Sequence, residues 1–171
     1  NPTMSSAHSW LSNMQAVQGN YDKAIEFLND GLTQAPHDPV LGGLRAYMHA
    51  LNGDDTQAEA DVRTLQTLAP PDSTTHYLLG FVALAQHKLD DAITHFEQSD
   101  TYNLLEVGWQ VGLAITHARQ GNQSEVVNIW HELVEADKRY TDANDVIRLH
   151  VLPLALADDV RTIITTYQNY A

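Results

Sequence analysis

The chain has 171 residues, 22 Asp and Glu against 9 Lys and Arg, a formal net charge of −13, and no cysteine. That length suits one well-buried body, and no second zone of composition marks another domain. The acidity excludes the basic footprint that nucleic-acid phosphates or anionic lipid headgroups require, and the missing cysteines exclude disulfides and thiolate metal sites.

No apolar run approaches the roughly 18 residues that span a bilayer. The opening Asn1-Pro2-Thr3-Met4 lacks the charged and apolar regions of a signal peptide. The chain reads as soluble, or as a soluble piece, without direct membrane insertion. Composition fixes no compartment, the cytoplasm being preferred to the periplasm.

Pro2, Pro36 and Pro70 stand 34 residues apart, and Asp22, Thr56, Asp90, Ser124 and Asp158 repeat the same interval. Such a period marks stacked copies of one helix-turn-helix unit, and the second series offers a helix-capping side chain at every step. Hydrophobic period and cap signals predict helices over about 5–18, 22–35, 39–52, 56–69, 73–86, 90–101, 104–119, 124–138, 142–156 and 159–170.

In the first unit, Leu11 and Ser12 lie on the first helix, Gly19 in the turn, and Ala24 and Leu28 on the second helix. The second unit repeats these slots as Arg45 and Ala46, Gly53, Ala58 and Val62. In the third they are Leu79 and Gly80, His87, Ala92 and Phe96, and in the fourth Leu113 and Ala114, Gly121, Val126 and Trp130. A small and a large apolar residue four apart form a packing stripe, while the glycine slot is expected to take the left-handed conformation that ends the first helix. Asp38 before Pro39 reads as an N-cap with proline at the first helical position, and Thr56-x-x-Glu59 and Asn103-x-x-Glu106 read as capping boxes.

The fifth unit is degenerate. Arg148 occupies its small slot and Pro153 should break or kink its first helix, although Asp158 keeps the cap in phase. It is read as a terminal capping pair over 141–171, after units of about 5–38, 39–72, 73–106 and 107–140. Pro2 fits the closing slot of a unit upstream, so a longer array is expected.

These residues resemble the tetratricopeptide-repeat family, whose pattern runs aromatic, Leu-Gly, Tyr, then Ala, Phe and Pro. Leu79, Gly80, Ala92 and Phe96 match in the third unit, and Leu11, Gly19, Tyr21, Ala24, Leu28 and Pro36 in the first. Four units match in unbroken phase over 5–138. The leading aromatic slot instead holds His8, Gly42, His76 and Gln110. The resemblance implies an all-α, right-handed superhelical solenoid of antiparallel helix pairs, whose first helices line a concave groove for extended peptides or helices.

The positions here that correspond to that groove include Asn13, Tyr47, Leu51, Tyr77, Phe81, Leu84, Val111, Ile115 and Arg119, and these are the candidate partner-binding residues. Across the twenty groove-facing positions of the four units stands one base, Arg119, and no acid. Tyr47, Phe81 and Ile115 share one slot and should form an apolar strip, with Tyr77 and Val111 beside it. Two readings stay open: the strip receives a partner protein, or the fifth unit, a neighbouring copy or further repeats cover it. Replacing Tyr47 and Phe81 by alanine is expected to abolish partner capture with little change in melting. Some family members clamp a terminal carboxylate at slots that here hold Ser9, Asn13, Leu44, Thr74 and Leu78; only Asn13 fits, which favours a ligand that buries apolar side chains.

Chemistry finds no support. The nine histidines show no metal-binding spacing, His8 and His76 being two repeats apart like His49 and His117. The doublets Asp54-Asp55, Asp90-Asp91 and Asp158-Asp159 are expected at second-helix N-termini as caps. Asn122-Gln123-Ser124 fits a glycosylation acceptor, with Ser124 already explained as a cap. No enzyme activity, cofactor or metal is expected. The implied function is a protein-interaction scaffold or adaptor binding an apolar peptide or amphipathic helix. Alternatives are a chaperone-like holder of a secreted or assembling subunit, or a regulatory or oligomerisation module of a larger enzyme, and homo-oligomerisation is left open.

Overall fold

The computed structural model describes residues 2–69, 72–99 and 108–170, with side chains from Ser5 onward. The Pro70 rung of the proline series and the Asn103–Glu106 capping signature lie outside the described residues. Four helix pairs follow one another: α1 (Pro2–Val17) with α2 (Tyr21–Gln34), α3 (Pro39–Leu51) with α4 (Asp55–Leu68), α5 (Ser73–Ala85) with α6 (Leu89–Ser99), and α7 (Gly108–Gln120) with α8 (Gln123–Ala136). A 3-10 turn at Lys138–Thr141, the short α9 (Ala143–His150) and α10 (Leu154–Tyr170) complete the chain, with no strand among the described residues.

Each pair packs on itself, and the stack is held by α3 on α5, α5 on α7, and each second helix against the next first helix where the described residues show it, as in α2 on α3 and α6 on α7. Ala24, Leu28, Ala58, Ala92, Phe96, Val126 and Trp130 of the small-large stripe are buried, and Val62 is partly buried against them. Phe96 shows how closely first helices approach. Its ring lies 2.6 Å from where a Cβ on Gly80 would stand, and it meets a Cβ placed on Gly112 as well.

The turn inside each unit repeats atom for atom. Gly19, Gly53, His87 and Gly121 take φ of 76°, 79°, 58° and 78°. The next amide closes a bond to the carbonyl five residues back: Asn20 N to Gln15 O, Asp54 N to His49 O, Lys88 N to Ala83 O and Asn122 N to His117 O, each 2.9 Å. This is the Schellman closure, which satisfies carbonyls that the helix end leaves free. It reverses the chain within one residue, so the second helices begin earlier than the capping series predicts.

The caps are therefore Asn20, Asp54 and Asn122, two positions before Asp22, Thr56 and Ser124. Only Asp54 among them uses its side chain, accepting from Gln57 N at 3.2 Å. Thr56 and Glu59 form no capping box; Glu59 accepts from Lys88 Nζ of the next unit instead. Asp22 and Asp90 sit in first turns, where a carboxylate faces the positive end of the helix dipole. They also tie units together: Asn52 Nδ2 donates to Asp22 at 2.8 Å, Gln86 Nε2 to Asp55 at 3.0 Å and Gln120 Nε2 to Asp90 at 2.9 Å. Asp38 caps α3 as expected, accepting from Val40 N and Leu41 N.

The fifth unit departs from phase. α9 spans 8 residues, against 13 in α3, α5 and α7, and it ends at Val151, a β-branched residue in the left-handed region at φ 49°. Leu152 N still closes the same bond, to Ile147 O at 3.0 Å. Pro153 then breaks the helix, and α10 starts at Leu154. Asp158 consequently lies inside α10 and caps nothing, contrary to the in-phase expectation.

Candidate partner-binding groove

The first helices bring most of the predicted groove residues together. Phe81 is the hub: its ring centroid lies 5.4 Å from Tyr47, 5.0 Å from Tyr77 and 5.0 Å from Phe96, the last two edge-on. Val111, Ile115 and Leu84 belong to the same core cluster, with Leu51 and Tyr77 packed against it. Asn13, on α1, is half-buried.

The strip is not open. Tyr47 and Phe81 are 6% and 4% exposed, and Leu84, Val111 and Ile115 are fully buried. Alanine at Tyr47 and Phe81 therefore removes core contacts, so the expected small change in melting does not hold. Beside the strip runs α10, which packs on α7, α8 and α9 and buries Leu156, Val160, Ile163, Ile164 and Tyr167, residues three or four apart along one helical face.

Its two ends fix its course. At the N-terminal end, Leu154 Cδ2 lies 3.1 Å from where a Cβ on Gly19 would be, and Ala155 N donates to Tyr21 Oη at 3.3 Å, so α10 reaches the turn of the first unit. At the C-terminal end, Tyr167 Oη is 3.2 Å from His131 Nδ1 and Tyr170 Oη donates to Gln123 Oε1 at 3.1 Å, both on α8. A 17-residue helix is about 25 Å long, enough for that span.

Midway, Arg119, the one base of the groove, donates through Nη2 and Nε to Asp159 at 2.8 and 3.3 Å and through Nη1 to Leu84 O at 3.3 Å. Asp159 was expected at a helix start; the early turn at Val151 moves it one turn into α10 and onto Arg119. Beside this pair, burial first and then Tyr77 and Tyr21 hold the Tyr47 phenol well above its ordinary range. Its hydroxyl is buried and has no hydrogen-bond partner among the described residues.

The chain carries a sequence match over residues 1–39 to the family model described as tetratricopeptide repeat. Over those residues the chain is similar to that family. The all-helical fold is similar to that in the crystal structure of PilW, a widely conserved type IV pilus biogenesis factor, with a TM-score of 0.63 at 15% identity over 96% of this chain and 76% of that one. The crystal structure of MamA is similar at a TM-score of 0.53 and 12% identity, over 99% of this chain and 89% of that one. Identities this low speak for fold alone. Comparison with curated proteins found no match.

Elsewhere on the helical stack, spacing rules missed a histidine pair. His76 on α5 and His95 on α6 place Nδ1 against Nδ1 at 3.1 Å, and burial, then His76, lowers the pKa of His95. The two positions are 19 apart and meet only because paired helices pack. No group of three or more His, Cys, Asp or Glu able to hold a metal occurs among the described residues, nor is any helix there long and apolar enough to cross a membrane. Trp10 is 60% exposed on α1, whereas Trp109 packs against the core.

Proposed function

We propose that this TPR protein is a non-enzymatic protein-interaction scaffold whose concave groove takes an amphipathic helix or extended apolar segment of a partner. The floor is Tyr47, Phe81, Leu84, Val111 and Ile115, and the half-buried rim is Asn13, Leu51, Tyr77 and Arg119. One observation supports the reading: α10 buries an apolar row and sets a carboxylate, Asp159, on the groove residue Arg119. Helix-in-groove recognition uses that combination, with anchors three and four residues apart.

A photo-crosslinking residue placed at Asn13 or Tyr77, compared with one at the exposed Arg63 of α4, tests the reading on the whole chain in its native cell. Adducts with a partner from the groove positions and not from α4 are expected. Adducts from α4 alone, or equal yields from both faces, refute it.

A further inference from the structure

We propose that α10 is a built-in occupant of the groove, displaced by a partner helix of the same chemistry: an apolar row at α10's spacing, a carboxylate for Arg119, and a hydrogen-bonding group for Tyr47. The inference rests on the groove-binding reading and names its partner class and its regulation.

α10 has the chemistry of a ligand. Apart from the short link at Val151–Pro153 it meets the stack mainly through side chains, and its ion pair to another helix, Asp159 with Arg119, uses the one base among the groove positions. Its seat is also imperfect in three ways. Val151 holds a left-handed φ of 49°, which a β-branched residue resists. The Tyr47 hydroxyl is buried with no hydrogen-bond partner among the described residues, a loss that any ligand supplying an acceptor or donor would recover. The first turn of α10 is only partly covered: Leu154 is 56% exposed, and a cleft of about 490 Å³ opens between Val17 and the Leu152–Arg161 stretch. Strain at the link and an unsatisfied group in the groove both favour release of α10 to a competing helix.

The probe is a labelled peptide of residues 152–170, titrated by fluorescence anisotropy into the whole chain. Asp159→Arg sets α10's own residue against Arg119 and loosens the cis helix, leaving the groove intact. That variant should bind the peptide about tenfold or more tighter than the wild type, while Arg119→Asp should prefer a peptide carrying Asp159→Arg. Equal binding by wild type and Asp159→Arg, or none by either, overturns the proposal. So does an Asp159→Arg chain that doubles in mass and refuses peptide, because the occupant is then a second copy.

Native-state hydrogen exchange on the unmodified chain gives an independent arm. Amides of α10 should exchange about tenfold or more faster than those of α5 and α7, and Val151→Gly should slow α10 alone. Exchange of α10 only at the rate of whole-molecule unfolding overturns the proposal. In that event, crosslinks at Asn13 and Tyr77 still decide the groove reading, so the two failures are distinguishable.

Discussion

His150, the last residue of α9, makes the acid sensitivity of the fold calculable. Its Nε2 stands 2.7 Å from Tyr140 Oη, and burial, followed by the Arg139 guanidinium, lowers its pKa from 6.5 to about 4. The folded chain thus keeps this imidazole neutral where the unfolded chain protonates it. The unfolded state binds the extra proton between those two values, so the stabilisation is complete above pH 6.5 and is lost as pH falls towards 4. At about 1.4 kcal/mol per pH unit the whole effect is about 3 kcal/mol, of which about 2 kcal/mol is gone by pH 5. For a chain of this size that is a fall in Tm of roughly 4–8 °C. His150→Gln keeps a hydrogen-bonding group towards Tyr140 and does not titrate. Thermal unfolding followed by circular dichroism from about pH 8 to 5 should show its Tm falling less than the wild type by that amount. His95, whose pKa is lowered as well, slopes both proteins equally and cancels in the difference. Parallel pH curves for the two proteins refute the assignment.

Gly80→Ala and Gly112→Ala both drive a methyl into the Phe96 ring and should cost about 1–3 kcal/mol by thermal melting, although alanine is the better helix former. Gly42→Ala, with nothing within 4 Å of the new methyl, should instead stabilise by about 0.5–1 kcal/mol; a shared sign among the three contradicts the packing described. His87→Gly relieves a left-handed φ of 58° that the other three units give to glycine, for a net gain of about 0.5–1 kcal/mol by denaturant titration. Phe81→Ala should lose about 3–5 kcal/mol because the side chain is buried among three aromatic rings, and a melt within about 2 °C of wild type would mean the strip is open.

The 34-residue period made the helix pairs legible because every unit solves the same packing problem with the same slots. The left-handed turn was readable too, even at His87, since the slot and not the residue specifies it. The caps were misplaced for a local reason. A capping-type residue stands at both positions, Asn20 and Asp22 for instance, and only the Schellman closure decides between them. Grouping of Tyr47, Phe81 and Ile115 followed from phase; their burial did not, because it depends on contacts between helices, such as Phe81 with Tyr77 and Phe96, that phase does not give. That course is set outside the repeat, by a turn at Val151 that arrives one helical turn early. Pairings such as His76 with His95 or Arg119 with Asp159 join helices whose approach no spacing rule encodes.

The same early turn explains why the groove is filled and why it is filled imperfectly. With the turn in phase near residue 155, Asp158 and Asp159 would open a second helix at the end of the stack; brought forward, the turn sends a 17-residue helix from the turn of the first unit to α8 with Asp159 on Arg119. Tyr47 is the point where that solution is incomplete, since its hydroxyl is enclosed without a partner among the described residues. Tyr47→Phe keeps the ring contacts with Phe81 and removes only the unsatisfied group. Leaving such a hydroxyl buried costs about 1–3 kcal/mol, so the variant should be more stable than wild type by up to that amount in denaturant titration. A loss of stability would mean that the hydroxyl is bonded and that α10 fits without defect. A gain, joined to weaker binding of a groove partner, would identify the hydroxyl as a group held at the expense of stability for a ligand other than α10.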